Sequence, residues 1–232
     1  MLRMLTKEPF EPMHRAELKF LTLKTVFLVA LATGKRRSEL HAMRKDIMHS
    51  KHWESITILP DPHFIAKTQL GLKGGSAIAS VTIKALIKEL STEMQEDRSL
   101  CAVRAVRYYL KATKEIRGER QKLFIAYREG FDQTKEIHLN TISAWLKKTI
   151  LLAYKSASSE DMQITGVKAH QVRALAASWA LHTNASMEDI MTACSWKHSS
   201  TFSRFYLKDM ALQRDKMYHL GPVVAASHTA GP

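Results

Sequence analysis

The chain has 232 residues, with 35 Lys and Arg against 22 Asp and Glu and 45% hydrophobic content, enough for one domain, or two small ones, around a true core. Its formal net charge of +13 points to a polyanionic partner, either nucleic acid or a membrane surface. Two distant cysteines, Cys101 and Cys194, exclude a disulfide framework and a CxxC-type zinc site.

The longest fully apolar run, Val26 to Ala32, is too short to span a bilayer. MLRMLTKEPFEP at the start carries no hydrophobic leader with a small-residue cleavage site. A soluble, intracellular protein is expected. Residues 16–33 place Leu18, Leu21, Val26, Val29 and Ala30 at near-helical spacing, and Gly34 supplies the C-cap. A second helix is expected to begin at Ser38, its hydroxyl as cap, and to run through Glu39, Leu40 and Met43. Between residues 53 and 69 the pattern changes: Ile56 and Ile58 alternate, and Pro60 and Pro62 interrupt before Lys67. With Gly71, Gly74, Gly75 and the run AIASVTI, this reads as a small antiparallel sheet.

From Ala85 the pattern is helical again. KALIKEL, AVRAVRYYLKAT and TISAWLKKTILLAYKSA each carry an apolar stripe opposite Lys and Arg. A polar connection at 155–165 leads to a helix over 168–182, largely Ala, Leu and Trp and so expected to be buried. Ser186 and Asp189 form a capping box for MEDIMTAC. A last helix is expected in SSTFSRFYLKDMALQRDKM, followed by a small-residue tail that is either disordered or docked elsewhere. The fold class is mainly α with a small antiparallel β-sheet (α+β).

Four segments carry chemistry. Arg36, between a buried helix and the next helix start, joins a permanent guanidinium to backbone N–H groups, an arrangement suited to a phosphate oxygen. Glu39, one turn on, holds Arg36 or complements the helix dipole. His170 and Arg173 stand three apart, on one helix face, and offer two donors to one phosphate, His170 also being able to exchange a proton near neutral pH. Tyr206 is a nucleophile if cations or a base lower its pKa, and otherwise a core aromatic beside Phe202 and Phe205. Trp196 and His198, eight to ten residues earlier, are alternative hydrogen-bond donors.

In this order the segments resemble the tyrosine recombinase (phage integrase) family. ATGKRRSEL is similar to its first-arginine box, HQVR to its second, and WKHSSTFSRFY to its tyrosine box. The resemblance covers residues from about 16 to 220. PFEP, DPHFIAKTQ, LCAVRAVRYYL and YHLGPVVAA are closer still to recombinases of DIRS-like retrotransposons. The chain departs from the family at Ser195-Trp196-Lys197-His198, where relatives often carry Gly-His or Gly-Trp.

The resemblance implies a catalytic domain over 1–220, a tail over 221–232, and no N-terminal core-binding domain in this chain. It implies that Arg36 and Arg173 grip the scissile phosphate, with His170 and Trp196 or His198 completing the cradle. Lys67, with Lys73 as competitor, protonates the leaving 5′ oxygen from the β-hairpin that carries the family's catalytic lysine. Tyr206 attacks to give a 3′-phosphotyrosine. No metal, ATP or other cofactor is implied. The expected partner is double-stranded DNA, bound by a homotetramer that is monomeric when free, with no membrane. Localisation would be nuclear for a eukaryotic mobile element, otherwise cytoplasmic or nucleoid. Two other readings stay open: a non-cutting DNA-binding descendant of a recombinase, and a type IB topoisomerase-like enzyme.

Overall fold

The computed structural model describes residues 2–65, 80–86, 98–127, 135–155, 169–183, 185–196, 198–200, 203 and 226–227. The elements are α1 (Leu2–Leu5), α2 (Leu18–Thr33), α3 (Arg37–His41), β1 (Met43–His49), β2 (Ser55–Pro60), β3 (Val81–Lys84), α4 (Ala102–Thr113), α5 (Leu139–Lys155), α6 (His170–His182), α7 (Met187–Ala193) and β4 (Ala226–Ser227). The architecture is mainly helical with one small antiparallel sheet.

Helix α2 is the axis. It is apolar nearly all round, as a helix packed on several sides must be, and α4, α5 and α6 all lie against it. Leu21, Leu23, Val26, Phe27, Leu28 and Val29 form the middle of the core. Its three threonines satisfy themselves locally: Thr22, Thr25 and Thr33 donate to the carbonyls of Leu18, Leu21 and Val29, so no buried hydroxyl goes unpaired. Gly34 ends the helix as expected, at φ 59°, with its N–H donating to Ala30 O at 3.0 Å.

Lys24 is fully buried in α2, with Nζ donating to Leu5 O and to Glu11 Oε1, both at 2.6 Å. Arg104 on α4 donates to the same carboxylate at 3.0 and 3.4 Å. Glu11 thus ties the N-terminal segment to two helices. Burial alone would raise its pKa, but the hydrogen bonds and charges of Lys24 and Arg104 outweigh that and leave it below the ordinary 4.5. A carboxylate whose pKa is lowered by folding contributes stability above its unfolded pKa and loses it as pH falls through the folded value. Burial pushes Lys24 the other way, down to about 8, so Lys24 opposes folding below that pH and Glu11 offsets it. Glu11→Gln should therefore cost about 3–5 kcal/mol near neutral pH by stranding the buried ammonium. Urea unfolding at about pH 7 and about pH 4 checks this: the wild type weakens on acidification, and the variant lacks the Glu11 share of that loss.

The sheet runs β1-β2-β3-β4, antiparallel throughout. Ile56 pairs with Ile83 and Ile58 with Val81, and all four are buried, so one face of the β2–β3 ladder closes the core.

Several expectations need correction. The second helix is a single turn beginning at Arg37 with Arg36 as N-cap, so Ser38 is not the cap. Met43 opens a strand instead of extending that helix. β1 was not anticipated: a bulge between Met43 and Ile47 breaks its alternation, and most of its side chains are at least partly exposed, which removes the apolar signal. Segment 121–123 covers its start, through Lys45 N–H to Gln121 O at 2.9 Å and Leu123 N–H to Met43 O at 2.7 Å. Lys84 ends β3, so the helical reading of KALIKEL fails at its first residue; residues 87–90 lie outside the described set. The tail contributes an element after all: Ala226 and Ser227 pair with Ile83 and Thr82. Among the described residues no helix is long and apolar enough to cross a membrane. Cys101 and Cys194 are buried free thiols.

Candidate anion-binding site

The reversal at Gly34 delivers Lys35 and Arg36 to the start of α3, and Glu39 follows one turn later. Glu39 is 5% exposed and is the hub. Its Oε2 accepts the Arg36 backbone N–H at 2.8 Å and lies 3.7 Å from Arg36 Nη1. The same oxygen is 3.6 Å from Arg173 Nη1, and Oε1 is 3.8 Å from Lys35 Nζ. Both sequence readings of Glu39 hold together, since it anchors Arg36 and sits in the first turn of a helix.

Arg173 comes from the first turn of α6 and is 4% exposed. Nη2 donates to Cys194 O, and its guanidinium carbon stands 4.7 Å from the centre of the Trp196 ring, within cation–π reach. Arg36 crosses to the same segment, with Nη2 donating to Ser195 O at 3.5 Å. Arg36 Nη1 is buried and makes no hydrogen bond among the described residues; its ion-pair partner is Glu39 Oε2.

Segment 192–196 closes α7. Ser186 caps the start of that helix as expected, accepting the Asp189 N–H at 3.0 Å. At the other end Ser195 is left-handed, at φ 52°. Its N–H donates to Thr192 O at 3.0 Å, and the Trp196 N–H donates to Met191 O at 2.9 Å. That is a Schellman ending with serine where glycine usually sits.

Three cations, Lys35, Arg36 and Arg173, thus surround one carboxylate, an excess of two positive charges. Beside them opens a cavity of about 750 Å³ whose wall includes Lys35, Arg36, Arg37, Lys147, His170 and Arg173, and none of its described lining residues is acidic. Arg37 is held at the rim by Asn140 Oδ1 at 3.2 Å and Ser143 Oγ at 3.3 Å. Burial pushes the neighbouring Cys194 thiol up to about 11, against the pull of Arg173 and Lys35. It is therefore a neutral thiol that adds no negative charge to that of Glu39. A cavity walled by cations with no facing carboxylate suits an anion. The chain matches no protein-family model and no curated protein.

The sequence-predicted residues divide clearly. Arg36, Glu39, Arg173 and Trp196 meet, and His170 shares their cavity. His170 is exposed, contrary to the expectation of a buried His/Arg pair, because it is the first residue of α6. His198 is exposed, two residues beyond the buried Trp196. Lys67, Lys73 and Tyr206 lie outside the described residues; both lysines fall in the connection between β2 and β3. Lys35 and Ser195 were missed. Lys35 is one of three consecutive basic residues in ATGKRRSEL, with nothing to set it apart, and Ser195 lacks the glycine that announces a left-handed turn.

Glu39→Ala should destabilise the fold by about 3–5 kcal/mol, because it strands clustered buried cations. For a chain of this size that is a fall in Tm of roughly 10 °C, read by calorimetry; Glu39→Gln should lose less, since its amide oxygen still accepts the Arg36 N–H.

Proposed function

We propose that this chain is the catalytic domain of a tyrosine recombinase, cutting and rejoining duplex DNA through a covalent 3′-phosphotyrosine. The observation that carries this reading is the meeting of Arg36 and Arg173, from opposite halves of the chain, on Glu39 beside a cation-walled cavity shared with His170.

In this reading the two guanidiniums hold the non-bridging oxygens of the scissile phosphate and stabilise the charge that builds on them. Tyr206 Oη attacks phosphorus in line and the bond to the 5′ oxygen breaks. His170, exposed on the cavity wall, is available for the phenolic proton, and Lys67 or Lys73 protonates the leaving oxygen. Rejoining reverses the sequence: a 5′ hydroxyl attacks the phosphotyrosine. The bond energy stays in the covalent link, so the exchange needs neither ATP nor a metal ion. Trp196 packs against the Arg173 guanidinium, which favours it over the exposed His198 as the residue completing the clamp. The net charge of +13 supplies sequence-independent attraction to the duplex, making binding strongly salt dependent.

The test is incubation with nicked suicide duplexes in EDTA, followed by denaturing electrophoresis. A 3′-linked protein–DNA adduct is expected. Salt-sensitive binding with no adduct would overturn the reading in favour of a non-cutting DNA-binding protein. Supercoil relaxation by a monomer, without strand exchange, would instead make it a type IB topoisomerase.

A further inference from the structure

Lys35 lines the cavity but has no step in the proposed chemistry, and its side chain is only 3% exposed. Its Nζ donates to Ser195 Oγ at 3.1 Å, across a sequence separation of 160 residues. Ser195 Oγ in turn donates to Glu39 Oε1 at 3.4 Å. The Ser195 carbonyl accepts Arg36, the preceding carbonyl, of Cys194, accepts Arg173, and the following residue, Trp196, stacks on Arg173. One turn therefore carries an acceptor or a stacking surface for both arginines, and Lys35 grips that turn by its side-chain hydroxyl. The turn is left-handed, a conformation that glycine adopts freely and serine only at a cost. Serine brings the one thing glycine lacks there, an oxygen for Lys35 and Glu39.

We infer that Lys35 and Ser195 form a positioning latch that sets the two arginines of the phosphate clamp relative to each other. The inference rests on the clamp reading. Neither residue touches DNA in this arrangement. Lys35 is almost wholly enclosed, and the latch works through the Cys194 and Ser195 carbonyls and through Glu39. Its loss lets the arginines drift from the geometry that matches the transition state. Errors of about an ångström at such a centre cost on the order of a hundredfold in rate.

The experiment uses the full chain as wild type, Ser195→Gly, Lys35→Met and the double variant. Three quantities are read: thermal midpoint, duplex Kd, and single-turnover rate of adduct formation at saturating DNA. Ser195→Gly is decisive, because it relieves the backbone while removing the hydroxyl. Its thermal midpoint should match or exceed that of the wild type while its cleavage rate falls roughly tenfold to a hundredfold. Duplex Kd should stay within about twofold for Ser195→Gly, which alters no charge. The double variant should cut within about threefold of the slower single variant, since both break one contact. Wild-type cleavage by Ser195→Gly, or rate and affinity falling together, overturns the latch; so do additive losses. Should Lys35→Met fail to fold, Ser195→Gly still decides. Arginine side-chain nitrogen NMR gives a readout independent of cutting: guanidinium rotation at Arg36 and Arg173 should speed up in Ser195→Gly, and unchanged spectra would overturn the latch. A wild type that forms no adduct sinks the clamp reading, and the NMR comparison then judges the latch separately.

Discussion

Tyr206→Phe should abolish the covalent adduct while leaving duplex affinity within about twofold of wild type. The substitution removes one oxygen and no charge. Affinity for a duplex comes chiefly from Lys and Arg neutralising phosphates, and none of those is altered. The covalent step has no substitute, because a phosphotyrosine needs the phenolic oxygen as nucleophile. Tyr218 is the next tyrosine along the chain, and Tyr218→Phe, the matched control, should form adduct at the wild-type rate. If the adduct survived in Tyr206→Phe and vanished in Tyr218→Phe, the nucleophile would be reassigned and the rest of the site would stand.

Arg173→Ala should slow adduct formation by about a hundredfold to a thousandfold, the usual cost of deleting one donor to a developing oxyanion. The loss should lie in the rate at saturating DNA more than in Kd, because Arg173 is almost wholly enclosed and contributes little to the outer electrostatic surface. Folding should suffer less than in Glu39→Ala. Glu39 keeps Lys35 and Arg36 as partners when Arg173 is gone, whereas removing Glu39 leaves like charges facing each other. Arg173→Lys separates charge from shape: a single ammonium cannot reach the Cys194 carbonyl, Glu39 and a phosphate together in the fork geometry of a guanidinium. It should fall between alanine and wild type. Single-turnover kinetics beside thermal unfolding read both effects, and a wild-type rate in Arg173→Ala would remove Arg173 from the clamp.

The longer helices were legible from their apolar patterning, whereas the short α1 was not, nor were the bounds of α3. The segment AVRAVRYYLKAT forms α4 residue for residue, and the α2 boundary at Gly34 and the Ser186 cap follow from local chemistry that needs no tertiary partner. The sheet was legible only where it is half-buried, at Ile56, Ile58, Val81 and Ile83. β1 faces outward and is bulged, so neither alternation nor composition betrayed it. At the site, the arginines and Glu39 stood out by motif order. Their shared carboxylate, the enclosure of Arg173 and the exposure of His170 depend on how α3, α6 and the end of α7 meet. Lys35 and Ser195 show the limit most plainly: a lysine in a basic turn and a serine after a cysteine acquire meaning only when 160 residues of chain bring them together.

That separation also bears on the order in which the protein comes off the ribosome. Lys35, Arg36 and Glu39 emerge early, while Ser195, which completes their cluster, lies 156 residues beyond Glu39. At roughly 5–20 residues per second, translation takes on the order of ten seconds or more to cover that stretch. Until then the early cations and their carboxylate lack the far wall that encloses them. A nascent or prematurely terminated chain that stops before Arg173 therefore has Lys35, Arg36 and Glu39 but lacks the second arginine, and under the recombinase proposal it should form no adduct. The split of the site across the chain means that the cluster around Glu39 closes only after most of the polypeptide has been made.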